Sequence, residues 1–322
     1  GWHDHTLTLR TSPDGIHWTE RGRTPRTGDR STFFQNPFRN VWVFSLRDNQ
    51  YPGSISGRFR RYWETRDFAA TREWDSVAWV KADTRDYARP DVTTLPELYN
   101  LDGVAYESVM LGLFSIWRGE THDREKINEI TVGFSRDGFH WDRPERRTFI
   151  GVSDEPGSWN WGNIQSGGGC CLIVGDQLYF YVSGRQGRPG TQESGVCSTG
   201  LATLRRDGFA SMDWQPDAPG VARRAAHGVL TTRSLRFTGG HLFVNADLGG
   251  GELRAEILDR SGRTIAPFTR DACVPVTGNA TRLPVTWTKG RLADLASGEV
   301  RIRFSLTPGR LYALWVRPVG TG

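Results

Sequence analysis

The stretch "FSRDGFHW", Phe134 to Trp141, has a close echo in "TSPDGIHW", Thr11 to Trp18. Both read Ser-x-Asp-Gly-x-His-Trp and both follow a strand-like run, Thr6 to Thr11 in one case and Ile130 to Phe134 in the other. The apolar residues in the first run alternate with polar ones, the period of a half-buried strand. Asp-Gly suits a tight hairpin turn, because glycine accepts the positive φ that such turns demand. Ile16 and Trp18, like Phe139 and Trp141, then point to one face of the returning strand. Turn chemistry accounts for every residue of the motif except His17 and His140, which are expected at a solvated rim.

Weaker copies follow once the pattern is known. "RRYWETRDFAATREW" carries Asp67-Phe68 and ends at Trp74, and "LATLRRDGFASMDW" carries Asp207-Gly208-Phe209 and ends at Trp214. The aspartates fall at 14, 67, 137 and 207, so the spacings are 53, 70 and 70 residues. A further strand-like run precedes each later copy: Val41 to Leu46, Val109 to Trp117 and Leu178 to Ser183. Units of two or more hairpins, repeated and each closed by a tryptophan, are the mark of a β-propeller. The expected fold is all-β: a propeller over residues 1–219, with four recognisable blades of five and a Trp wedged at each blade corner. After Pro219 the texture changes to short alternating strands split by Gly-Gly and Ser-Gly, and residues 228–322 read as a β-sandwich. Trp287, Tyr312 and Trp315 are expected in its core, and Arg291 to Leu295 is expected to form at most one short turn.

Bulk composition narrows the function classes. The 322 residues exceed what one ordinary core holds. With 13 Trp and 38 Gly, the chain suits a turn-rich β protein and not a disordered one. The formal charge of +5 is spread among interleaved acids, so no nucleic-acid partner is expected. No run of 18 apolar residues exists, so no membrane span is expected. Four cysteines, two of them adjacent at Cys170 and Cys171, do not make a disulfide framework. They read as small buried hydrophobes on a strand, and Cys197 and Cys273 lack the spacing of a zinc site. "HDH" at His3 to His5 reads as solvated, so no metal and no cofactor are expected.

In a propeller the innermost strand of each blade converges on a central pocket, and polar residues at its start meet there. Cleaving a glycosidic bond needs two carboxyl groups across such a pocket, one protonated and one ionised. "GDRSTFFQNPFRNVWVFSLR" sets Asp29 and Arg30 ahead of Phe33-Phe34, and "VAYESVMLGLFSIW" sets Tyr106 and Glu107 ahead of the apolar run from Val109. Asp29 and Glu107 are the candidate catalytic pair. Arg30 is a candidate for holding a carboxylate or a sugar hydroxyl. "SWNWGNIQSGGGCCLIV" has no acid but offers Trp159, Trp161, Asn163 and Gln165, rings to stack on a sugar and amides to bond its hydroxyls. Asp91, Glu97 and Asp102 lie in the long stretch from 75 to 106, read as a connection. Asp91 is carried as a substrate-binding candidate, while the bland reading of all three is a surface-loop acid.

These motifs resemble the five-bladed propellers of glycoside hydrolase family 32 and its neighbour family 43, the first of which carries a C-terminal β-sandwich. In family 32 an Arg-Asp-Pro motif supplies a transition-state-stabilising Asp. "GDRSTFF" is similar through Asp29, with Gly28 and Arg30 in the flanking places. A Glu-Cys motif supplies the general acid, and "YESVMLGLF" is similar through Glu107, with Ser108 in place of Cys. The resemblance implies hydrolysis of a furanoside or related bond, with Glu107 as proton donor and Asp29 as the ionised stabiliser. The family's nucleophile, an Asp opening the first blade, has no clear counterpart; Asp4 is a weak substitute. The chain is therefore expected to begin inside blade two. A carbohydrate partner follows on either of two readings, a hydrolase or a non-catalytic carbohydrate-binding propeller; a plain interaction scaffold is the third. The sugar, the oligomeric state and the compartment stay open.

Overall fold

The computed structural model describes residues 2–3, 5–53, 57–69, 75–86, 88–92, 94–169, 171–215, 227–237, 240–295 and 298–317. Asp4, Trp74, Cys170 and Pro219 lie outside them. Among the described residues the chain is all-β apart from one 3-10 turn at Leu292–Asp294. It divides into two compact units. The first holds Gly1–Leu172 and Tyr179–Thr203, the second Ile173–Leu178 and Leu204–Gly322.

The first unit is a series of antiparallel sheets met in chain order, the β-propeller pattern that the repeated turns announce. The first sheet has β1 (Trp2–His3), β2 (Thr6–Thr11) and β3 (Thr19–Arg23). The second runs β4 (Thr32–Asn36), β5 (Val41–Asp48), β6 (Phe59–Thr65) and β7 (Val77–Lys81), each paired to the next. The third has β8 (Glu97–Tyr106), β9 (Val109–Thr121) and β10 (Arg124–Ser135). In the fourth, β13 (Gln177–Arg185) pairs with β11 (Asn163–Ser166), β12 (Leu172–Val174) and β14 (Cys197–Arg205). Hairpins with tight turns give this up-and-down order directly.

The inner strands of neighbouring sheets run side by side. Thr32 Oγ1 donates to the Leu101 carbonyl at 3.2 Å, and a Cβ on Gly103 would meet the Phe34 ring at 2.8 Å. So β4 and β8 advance in the same direction, as inner strands of adjacent blades do. Between the second and third sheets lies an apolar layer that includes Phe34, Val43, Tyr62, Trp79, Leu101 and Phe114. Trp141 wedges there, 5.6 Å from Phe114 and 6.5 Å from Trp79 between ring centres. A large ring at such a seam removes much apolar area from water, about 25 cal/mol per Å².

Among the described residues the second unit has two sheets. One is β15 (Met212–Trp214), then β21 (Gly309–Arg317), β17 (His241–Asp247) and β19 (Asn279–Val285); the other is β16 (Gly228–Thr231), β20 (Arg301–Leu306) and β18 (Leu253–Leu258). Their facing side chains, among them Val244, Ala255, Ile302, Phe304 and Leu311, form one core. Trp214 pairs with Gly309 and packs on this core, so it belongs to the second unit and does not close a blade. Trp287 is buried, with Nε1 donating to the Ala255 carbonyl at 3.1 Å. Trp315 differs from expectation: it stacks on Phe243 at 5.8 Å, on the face away from Leu314 and Val316, which pack on the core. Tyr312 is half-buried beneath the Arg205 guanidinium. Cys273 is buried in the core, which pushes its thiol pKa up, while Cys171 is half-buried ahead of β12 and Cys197 exposed.

Candidate functional site

Three inner strands of the first unit bring polar side chains to one place. β4 supplies Thr32, β8 supplies Asn100 and Asp102, and β11 supplies Ser166. Asn100 Nδ2 donates to Asp102 Oδ2 at 3.0 Å, and Thr32 Oγ1 lies 3.5 Å from Asn100 Oδ1. Asp102 is also hydrogen-bonded by Ser166 and Thr32 and feels the Arg30 charge. Its own exposure is 3%. Burial pushes this carboxyl above the ordinary carboxylate range, and Arg30 and the three hydrogen bonds pull it back only in part. Ionising a carboxyl in such a place costs several kcal/mol, of the order found for buried ions generally.

A second buried charge frames the same place. Arg60, fully buried on β6, donates from Nε to Ser45 Oγ at 2.9 Å and from its terminal nitrogens to the carbonyls of Arg30, Tyr99 and Ser45. Burial pulls the guanidinium down to about 9, and Asp102 is the main charge acting against that. Arg60 thus ties the Arg30 turn, where φ is +56°, to the second and third sheets. A left-handed turn at a residue with a Cβ is uncommon and is held here by that bond.

The other sequence candidates are spread more widely. Asp29 does not face the hub. Its carboxylate meets the Arg47 guanidinium in an open cavity of about 600 Å³ that Arg26, Asp48 and Arg61 also line. Glu107 is an exposed residue of the two-residue turn between β8 and β9, with φ +49°. Thr32 sits level with Leu101, and Glu107 lies six residues further on, about 20 Å of strand. Asp29 lies beyond Thr32 on the other side. The expected pairing of Asp29 with Glu107 across one pocket is therefore corrected: they occupy opposite ends of the inner strands. Tyr106 is buried beside Glu107, at that same far end.

Asp91 is held by Arg89, with contacts of 2.9 and 3.2 Å, and that partner keeps its carboxyl below the ordinary range. Trp161 is buried under the Arg124 guanidinium, 4.5 Å from its ring centre. Trp159 is 41% exposed and lies over Gly184 and Gly200, where any Cβ would strike its ring. Asn163 donates to the Lys126 carbonyl at 3.0 Å and accepts from Gln165 Nε2 at 3.0 Å, so the two amides brace β11 from within. Among the described residues no three His, Cys, Asp or Glu side chains gather as a metal site would need.

The sequence singles out neither Asn100 nor Ser166, and it offers Asp102 only as one of three acids of a long connection that could line the pocket; the reason is local. The 75-to-106 stretch is no plain connection: β7 and all of β8 lie within it. Between Leu98 and Asn100 the pairing of β8 with β9 shifts by one residue. Such a bulge breaks the period of two that announces a strand. The available signal was an Asp between Leu101 and Gly103 in an otherwise apolar run.

No protein-family model matches the chain, and no curated protein matches it by sequence. Similar solved structures include an N-acetylgalactosamine deacetylase from F. plautii in complex with blood group B trisaccharide, at 12% identity and TM-score 0.39. That match covers 58% of this chain and 53% of the other, so the chain spans about half the deacetylase's length. A family 32 β-fructofuranosidase of Bombyx mori is similar at 9% identity and TM-score 0.39, covering 98% of this chain and 85% of that one. The xyloglucan PUL GH43B protein of Bacteroides ovatus is similar at 10% identity and TM-score 0.31, covering 99% and 94%.

Proposed function

We propose that the chain is a glycoside hydrolase whose proton-holding carboxyl is Asp102. The observation that carries this reading is the convergence of Thr32, Asn100 and Ser166, from three inner strands, on the Asp102 carboxyl, whose pKa burial raises. An acid with a raised pKa is the kind that protonation of a leaving glycosidic oxygen calls for. Arg30 supplies a positive neighbour, and Thr32, Asn100 and Ser166 supply groups that hydrogen-bond hydroxyls. The scissile bond belongs to a furanoside or a related sugar. The test is release of reducing ends from arabino-, fructo- and xylo-oligosaccharides. Asp102→Asn is expected to lower turnover by about 10²–10⁴-fold, the usual weight of general acid catalysis. Wild-type turnover by Asp102→Asn would remove the residue from the role.

A second reading, a carbohydrate-binding propeller without turnover, is favoured by one specific feature. Asp102 is closed over by protein, and a Cβ on Gly169 would lie only 3.1 Å from its own Cβ. Binding of an oligosaccharide with no products over days of incubation would decide for it.

A further inference from the structure

A fully buried guanidinium is costly to keep, and the chain keeps one at Arg60 on β6. Among the described residues its nitrogens go not to a carboxylate but to the Ser45 hydroxyl and to the carbonyls of Ser45, Arg30 and Tyr99, at 2.9, 2.6, 2.8 and 3.2 Å. Two of those carbonyls belong to places near the hub where the backbone departs from regular geometry.

Tyr99 is the first. Leu98 stands opposite Ile116 and Asn100 opposite Ser115, so Tyr99 is the extra residue of a bulge. Leu98 and Leu101, three residues apart, therefore share a face and both join the apolar layer between the second and third sheets. Asn100 and Asp102 take the other face. In regular pairing Leu98 and Asp102, four residues apart, would share a face, and the leucine could not join that layer while the carboxyl faced away from it. Arg30 is the second place. It is left-handed, at φ +56°, and its carbonyl receives one of the Arg60 bonds. A single guanidinium thus holds both distortions. Its planar fork of donors suits the task better than the point charge of a lysine.

We propose that Arg60 is a positioning residue for the Asp102 carboxyl: by holding the Tyr99 bulge and the Arg30 turn at one point, it fixes the face that Asp102 occupies and the neighbour that Arg30 presents to it. As a part of the reaction, this role rests on the reading of Asp102 as the proton donor. The ionisable groups around the clamp are Arg30 from the turn before β4, Arg47 on β5, and Tyr99 and Asp102 on β8. Burial raises the Asp102 carboxyl, and Arg30 leads the groups that pull it down, ahead of the hydrogen bonds from Ser166, Thr32 and Asn100. A slack clamp weakens that downward pull and leaves burial in place, so the carboxyl titrates higher.

The experiment follows the protonated-carboxyl band of Asp102 across pH by infrared difference spectroscopy of the full chain, the band being assigned by its loss in Asp102→Asn. Arg60→Lys keeps the positive charge and loses the fork. It is expected to raise the midpoint by about half a pH unit or more, roughly threefold in the ionisation constant. Ser45→Ala frees Arg60 from one hydrogen bond and should move the midpoint the same way by less. Asn36→Ala, a buried loss at the far end of β4, should leave it in place. Melting curves check that the variants are folded, and Ser45→Ala decides if Arg60→Lys is not. An unmoved midpoint overturns the proposal. So does an equal rise in Asn36→Ala, which would make the effect one of general loosening. Turnover against pH separates the two readings. A general acid loses activity as pH rises through its pKa, so the alkaline limb should rise with the midpoint. A limb that stays while the midpoint moves would remove Asp102 from the donor role and leave the clamp standing.

Discussion

The two copies of Ser-x-Asp-Gly-x-His-Trp fold alike and are used differently. In each, the Ser hydroxyl donates to Asp Oδ1, at 2.9 Å for Ser12 and 3.0 Å for Ser135. In each, the Gly amide donates back to the Ser at 2.8 Å, and the His amide to Asp Oδ1 at 2.8 Å. His Nδ1 lies 2.7 Å from Asp Oδ2 in both. Beyond these bonds the copies part. Trp141 lies against Gly112 and Phe114, Phe139 packs on Tyr62 at 4.8 Å, and Trp79 Nε1 donates to the Phe139 carbonyl at 2.7 Å. Ile16 and Trp18 are 77% and 59% exposed, and Trp18 Nε1 turns inward to the Gly15 carbonyl at 3.1 Å. Seven residues are enough to encode the turn. Whether its aromatic residue becomes core depends on what the neighbouring sheet presents.

Trp141→Ala provides the largest expected difference between the copies, a loss of about 2–3 kcal/mol, below the full cost of emptying a buried aromatic site because Trp141 is only partly buried. Trp18→Ala should change stability by no more than about 0.5 kcal/mol. Chemical denaturation of the two variants checks this, and equal losses would break the contrast. Next comes Asn36→Ala. Asn36 is fully buried and donates to the Asp137 carbonyl at 2.8 Å, an anchor specific to the second copy. Its removal leaves that acceptor unmet, for an expected loss of about 1–3 kcal/mol. Gly138→Ala should cost more than Gly15→Ala. Both glycines have φ near +77°, so both pay the left-handed penalty of about 1 kcal/mol. Only at Gly138 would the new Cβ also strike Asn36, at 2.5 Å from Nδ2.

The smallest effect should be nearly equal in the two copies. Hydrogen bonds to the His side chain and to local amides hold Asp14 well below the ordinary range, and they outweigh burial to do the same at Asp137. A carboxyl whose pKa is lower in the fold stabilises it above the unfolded value of 3.8, and this is lost as pH falls below that. Asp14→Asn and Asp137→Asn should therefore each flatten the acid limb of the stability curve below about pH 4. Asp102 has the opposite sign. Its raised pKa means the fold binds the extra proton, so stability falls as pH rises from 3.8 toward the folded value. Asp102→Asn should remove that slope, as thermal melts across pH would show.

Much of the architecture was legible because turns and alternation are local. The runs at Val41, Val109 and Leu178 became β5, β9 and β13, and the Asp-Gly corners at 14 and 137 became the turns after β2 and β10. The Asp207 corner is where the local signal misled. Its flanking Trp214 pairs with Gly309, almost a hundred residues on, and no seven-residue pattern carries that information. The candidate site was the least legible part. Arg30 precedes β4, and Asn163 and Gln165 lie in β11. The carboxyl at the hub is Asp102, hidden by the bulge at Tyr99, while Glu107 sits where its apolar run begins only because a hairpin turns there.

By itself the sequence determined an all-β chain, its repeating turns and their hydrogen bonds, since each of these closes within a few residues. Tertiary structure alone decided which acid is buried, which tryptophan is covered, and which carbonyls the buried Arg60 holds. Burial and charge pairing depend on groups 15 to 70 residues away in the chain, such as Thr32 with Leu101 and Arg60 with Ser45, and only folding brings them within reach.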